Sequence, residues 1–146
     1  MLTNRPFRRR QRGASLVELA LVLFILLLIL AAIVDFGRVF NHYVVITNAS
    51  REGARYASRF SNHERGILDA AIAEAAQSSV QLKDENIEID PDPGENGETA
   101  APPGDPITVT VKYKVPTIIA DIAGFGELPL QARTQMVVFY DGQDED

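Results

Sequence analysis

The chain has no cysteine and only two histidines, His42 and His63. Disulfides, thiolate metal sites and cysteine nucleophiles are therefore excluded. Two histidines with no third ligand in sight give no histidine-based metal centre, and both read as polar surface residues. There is no Gly-rich phosphate loop, no His-Glu-x-x-His and no Gly-x-Ser-x-Gly. The signatures of nucleotide binding, zinc proteolysis and serine hydrolysis are thus missing, and Gly124-Phe125-Gly126 is a turn signal alone. No enzymatic activity and no cofactor are expected. Acidic residues are missing from residues 1–13, which carry five arginines (Arg5, Arg8, Arg9, Arg10 and Arg12). The whole chain holds 14 Lys+Arg and 20 Asp+Glu, so a +5 leader precedes a remainder of 9 basic and 20 acidic residues, net -11. Such an acidic body repels a phosphate backbone, and no nucleic-acid partner is expected. At 146 residues the chain has room for one modest domain plus an anchor or tail.

Polar residues are absent from Leu19 to Val34, sixteen apolar residues without interruption. At 1.5 Å per residue the run spans ~24 Å, just short of a ~30 Å hydrocarbon core. Residues on either side, from Ala14 to Phe36, extend it to a crossing length. A buried helix of a soluble protein would show a polar face at the 3.6-residue period, and this run shows none. The segment therefore reads as a single membrane-spanning helix. The arginines before it place the N-terminus in the cytoplasm and the rest of the chain outside. A cleaved secretory signal is disfavoured, because the run is long and lacks a small-x-small site followed by a polar mature start.

Glu18 stands where lipid excludes charge. As an interfacial carboxylate in the first turn it would face the positive end of the helix dipole and Arg12. A sharper reading starts from Gly13. If the bond after Gly13 is cut, Ala14 carries a free amine and Glu18 becomes the fifth residue. Amine and carboxylate can then neutralise each other, within one chain or between neighbouring copies. An unpaired carboxylate in lipid costs several kcal/mol, roughly, so an assembly that pairs it gains a register signal.

The segment Arg12-Gly13-Ala14-Ser15-Leu16-Val17-Glu18 resembles the class III leader of type IV pilin-like proteins. Continuing through Asp35-Phe36-Gly37-Arg38-Val39-Phe40 and Thr47-Asn48-Ala49-Ser50-Arg51-Glu52-Gly53-Ala54-Arg55-Tyr56-Ala57, the chain resembles the TadE-like pseudopilins of the tight-adherence (Flp/Tad) pilus system. The resemblance covers residues 12–58. Phe24 stands where many members have proline, which leaves this helix unkinked, and Leu19 replaces a common aromatic residue. What the resemblance implies is a cleavage site at Gly13 and Ala14 for a prepilin peptidase. It also implies partnership with other pilin-like subunits and with the Tad assembly machinery.

Beyond the membrane the helical pattern continues to about Ser58, free of proline. Apolar or small residues recur at Phe36, Val39, Phe40, Tyr43, Ile46, Ser50, Gly53, Ala54 and Ala57. Phe36, Gly37, Phe40, Gly53 and Ala54 are the expected packing positions, with Gly53 and Ala54 admitting close backbone approach. A helix from Ser15 to Ser58 would be on the order of 66 Å long. Arg51, Arg55 and Arg59 form a stripe on another face, either solvated or docked on an acidic neighbouring subunit.

Ser61-Asn62-His63-Glu64 has capping-box spacing, and the helix after it should end near Val80. Ile87 and Ile89 alternate with acids as a short strand. Residues 91–106 hold five of the eight prolines and three of the ten glycines, which marks a loop. Its carboxylates (Asp92, Glu95, Glu98, Asp105, with Asp90 before it) lack the EF-hand order and read as solvated rather than calcium-binding. Residues 107–115 alternate as a half-buried strand with a polar outer face, and a less regular strand runs from about Leu130 to Tyr140. An acidic tail, Asp141 to Asp146, ends the chain.

The expectation is an α+β protein: a long membrane-spanning N-terminal helix, a second helix and an antiparallel sheet of about three strands. Its divisions are a leader 1–13, a membrane helix 14–36, an outer helix half 37–60, an exported domain 61–140 and the tail 141–146. The 87 residues from 60 onward supply a thin core, so the outer helix half should complete it. The expected function is a pseudopilin-like subunit assisting pilus assembly or initiation. The alternative is an uncleaved single-pass anchor whose exported domain binds a ligand or partner.

Overall fold

The computed structural model describes residues 10–78, 80–94, 100–124 and 126–139. One helix, α1 (Arg10–Ala57), runs unbroken for 48 residues, about 72 Å. It is followed by α2 (Glu64–Ala76), a single 3-10 turn (Asp84–Asn86), β1 (Ile87–Asp90), β2 (Pro106–Pro116), a six-residue helix α3 (Ile118–Ala123) and β3 (Glu127–Val137). The strands make one antiparallel sheet in the order β1-β2-β3. Val109 of β2 sits opposite Ile89 on one side and Thr134 on the other. The α+β layout and the three-stranded antiparallel sheet expected from the sequence are both present.

The core lies where α1 and α2 cover one face of the sheet. The odd-numbered residues of β2 (Ile107, Val109 and Val111) are fully buried against Ile46, Ala49, Ala54 and Ala57 of α1 and Ile67, Leu68, Ala71 and Ala75 of α2. Much of the core is therefore supplied by the long helix, so residues 60–146 do not enclose a core alone. Three layers meet at Gly53. A Cβ built there would stand 3.2 Å from Val109 Cγ1 and 3.3 Å from Ala71 Cβ. The lack of a side chain at this position lets α1 approach both the second helix and the central strand closely. Ser50 Oγ, buried in α1, hydrogen-bonds the Thr134 hydroxyl of β3 at 2.8 Å, and the Phe139 N–H donates to the Ser58 carbonyl at 2.8 Å.

Several local expectations are corrected. Ser61 does not cap α2. Its buried hydroxyl donates to the Ala101 carbonyl at 2.9 Å, and α2 starts after His63 without a side-chain cap. Fixing the far end of the proline-rich loop takes the hydroxyl that the capping box required. The second helix ends at Ala76 instead of Val80, and β3 begins at Glu127, three residues before the expected Leu130. The even-numbered face of β2 is not simply solvated: Thr108 and Thr110 are buried between flanking strands. Long cross-strand neighbours account for this, since Thr110 lies between Glu88 and Arg133 in the register. The tail 141–146 and residues 95–99 of the loop lie outside the described residues.

Candidate membrane-anchoring and assembly site

Among the described residues one helix is long and apolar enough to cross a membrane, and none of its most apolar window is buried. Every large apolar side chain from Leu16 to Leu30, and again Ile33 and Val34, is exposed. An apolar surface of this extent is far beyond what a soluble monomer presents, and it carries no polar face. These residues form a helix suited to anchoring the chain in a membrane.

Gly13, Ala14 and Glu18 all lie on the exposed first turns of α1. A Cβ at Gly13 would meet nothing within 4 Å. Glu18 makes no ion pair among the described residues. The arginines at 5, 8 and 9 lie outside the described residues, and Arg10 and Arg12 are described only as helical backbone. Nothing on the folded domain covers the segment from 13 to 30.

At the outer end of the apolar run the expected packing positions divide. Gly53 and Ala54 are buried between α1, α2 and the sheet. Phe36, Gly37 and Phe40 do not pack on the domain. Phe36 is 74% and Phe40 58% exposed, their rings stack on each other at 6.4 Å, and Gly37 faces open space. The reason is the phase of the helix. The face turned to the domain runs through Asp35, Val39, His42, Ile46, Ala49 and Gly53, a repeat near 3.5 residues. Phe36 and Phe40 follow that seam by one residue and so point about 100° away from it.

Asp35 was not singled out by sequence reasoning. It is only 4% exposed, and its Oδ2 accepts the Ile119 N–H of α3 at 2.8 Å. Its Oδ1 is buried and has no hydrogen-bond partner among the described residues. The carboxylate thus satisfies one of the free N–H groups at the start of α3, across 84 residues of sequence. Two signals could have found it: a lone acid directly after the apolar run, and Pro116-Thr117 ahead of Ile118 as a helix start. His42, one seam position outward, stacks on Tyr113 of β2 at 5.6 Å, and its Nδ1–H donates to the Arg38 carbonyl at 2.7 Å.

The arginine stripe is shorter than its spacing suggests, because α1 ends at Ala57 and Arg59 sits in the turn beyond it. Arg51, Arg55 and Arg59 are all exposed. Arg55 is already engaged by Glu52 through a bidentate pair, one arm of which is Nε to Oε2 at 2.8 Å. That hydrogen bond holds the Glu52 carboxyl below its ordinary range. Arg51, Glu52 and Arg55 line an open groove of about 390 Å³ together with Glu74 and Thr134.

Among the described residues no cluster of three or more His, Asp or Glu side chains is arranged to hold a metal ion. Asp92 Oδ1 instead accepts the Gly94 N–H at 2.9 Å. His63 shares a hydrogen bond with the Tyr56 hydroxyl at 2.9 Å.

No curated protein and no solved structure matches the chain. One family model does, and it covers residues 13–55, the exposed apolar half of α1 and most of its packed outer half. Over those residues the chain is similar to the TadE-like protein family, the one its motifs resemble.

Proposed function

We propose that the chain is a pseudopilin-like membrane subunit that assists the assembly or initiation of a tight-adherence pilus, and that it acts structurally and not as an enzyme. The observation that carries this reading is the overlap of two features on one segment. The family match takes in the uncovered apolar half of α1, with Glu18 near its start and without an ion pair among the described residues.

In this reading the leader 1–13 stays in the cytoplasm and residues 14–36 span the inner membrane. Residues 37–60 and 61–140 form the exported part. A prepilin peptidase cuts between Gly13 and Ala14, and the chain is its substrate. The bond lies within the first two turns of α1, so cleavage needs only the fraying that helix ends undergo. The freed Ala14 amine then compensates Glu18, in the same chain or in a neighbouring subunit, and a charge costly in lipid becomes a register mark. Lateral contacts between subunits would use the apolar face of α1 with Phe36, Gly37 and Phe40. Arg51 and Arg59 remain available to an acidic neighbour.

Two substitutions test this. Glu18→Ala should leave membrane insertion intact and abolish filament formation, scored by electron microscopy of cells carrying the pilus machinery. Unchanged piliation would falsify the register role. Gly13→Leu should leave the leader attached, whereas in a permanently anchored protein it would change nothing.

A further inference from the structure

The stretch between β2 and β3 has no part in that reading, yet its chemistry is unusual for a domain surface. In α3, Ile118-Ile119-Ala120-Asp121-Ile122-Ala123, only one residue is polar. Ile118 is 43% and Ile122 74% exposed, and they stand four residues apart on one side of the helix. Leu128, at the start of the adjoining strand, is 41% exposed.

The level at which α3 sits is fixed. The Ile119 N–H is hydrogen-bonded to Asp35, and Asp35 is the residue directly after Val34, the last of the sixteen apolar residues. A hydrocarbon core of ~30 Å takes up about 20 helical residues. Whether that window is set at 15–34 or at 17–36, residue 35 lies within one turn of the boundary. On the neighbouring face of α1, Phe36 is exposed at the same level and Phe40 about one turn further out.

We propose that α3 is a second membrane contact: Ile118 and Ile122 insert into the headgroup–acyl boundary of the leaflet from which the domain emerges, beside Phe36. The occupant of this apolar surface is lipid, because the Asp35 bond ties the surface to the end of the membrane-spanning run. The proposal rests on α1 spanning the membrane. It adds that the domain meets the bilayer at two places, which fixes its rotation about the helix axis as a single anchor cannot.

The chain contains no tryptophan, so single reporters can be introduced cleanly. Leu27→Trp, Ile118→Trp, Ile122→Trp and Phe139→Trp are compared in the full chain, reconstituted in phosphatidylcholine–phosphatidylglycerol vesicles with acyl chains brominated near the headgroup or near the terminus. All four positions are exposed, so the fold tolerates the ring. Phe139 is hydrogen-bonded to the Ser58 carbonyl, roughly 33 Å further along α1 than Asp35, and serves as the distant reference. Position 27 should be quenched most by deep bromine, positions 118 and 122 most by shallow bromine with blue-shifted emission, and position 139 by neither. Quenching at 27 with positions 118 and 122 behaving like 139 overturns the second contact while leaving the anchor. Blue-shifted but unquenched emission at 118 and 122 also overturns it, since protein and not lipid would then cover the face. Absence of quenching at 27 overturns the anchor, and the proposal with it.

Discussion

Gly53 is the position where sequence, packing and fold depend on one another most tightly, and replacing it gives a prediction with a defined sign. A methyl group at 53 would meet Val109 Cγ1 at 3.2 Å and Ala71 Cβ at 3.3 Å, so those neighbours must give by a few tenths of an ångström. Glycine to alanine inside a helix is itself favourable by about 1 kcal/mol. The two effects are of similar size, and Gly53→Ala should lie within about 1 kcal/mol of the parent. Leucine adds three further carbons where Ile67, Ala71 and Val109 are all fully buried. Overpacking of this kind costs about 1–3 kcal/mol or more, against a helix-propensity gain below about 1 kcal/mol. The net expectation for Gly53→Leu is a loss of about 2 kcal/mol, or roughly 8–16 °C in Tm for a domain of this size. The assay is thermal unfolding in detergent micelles followed by near-ultraviolet dichroism of the tyrosines, because Tyr56 and Tyr113 pack against the core. Far-ultraviolet signal would be dominated by the membrane half of α1. Gly37→Leu is the control, since nothing lies within 4 Å of that position and no loss is expected. A Gly53→Leu variant that melts with or above the parent would refute the three-layer contact.

Asp35→Ala should speed hydrogen exchange at the Ile119 amide while leaving the amides of α2 unchanged; equal protection in both variants would mean that the Asp35 bond does not hold α3. The carboxyls of Glu52 and Glu88 should titrate below the ordinary glutamate range. The cause is the hydrogen bond from Arg55 in the first case and from Lys112 in the second. A depressed value in the folded state means that the contribution is present above the unfolded value and is lost as pH falls through the folded one, so both pairs weaken only on the acid side. Glu88 is exposed, and Glu52 is half-buried beside an exposed Arg55, so their effect on stability is small. Carboxyl-detected NMR of Lys112→Gln should return the Glu88 midpoint upward and leave that of Glu52 where it was.

The parts of the fold legible from sequence were those with a strong period. The apolar run could be only a membrane-length helix, and Ile87–Asp90 and Ile107–Val115 alternate cleanly enough to be strands. Gly53 and Ala54 were recognisable as packing positions because small residues in a helix signal close approach. Phe36 and Phe40 lie off the face that packs on the domain for a physical reason. They are apolar and correctly spaced from each other, but the face that contacts the domain is set by partners far away in sequence, and it passes through Asp35 and His42. Burial of an acid at the head of that seam becomes intelligible only once α3 is present to donate to it. Ser61 failed as a cap for the same reason: its hydroxyl was claimed by Ala101, forty residues later. Local spacing reveals which groups can bond, while tertiary contacts decide which partner they take. At Gly13, Ala14 and Glu18 the informative signal was a motif, and their exposure leaves their roles to be set by what joins them in the membrane.

The central claim, that the chain enters a pilin-like assembly pathway, is tested most directly by the intact mass of the protein made in cells that carry its own prepilin peptidase. The account predicts a species that begins at Ala14 and lacks residues 1–13. A full-length chain, from cells shown to process another pilin, would contradict it and leave a permanent single-pass anchor in its place.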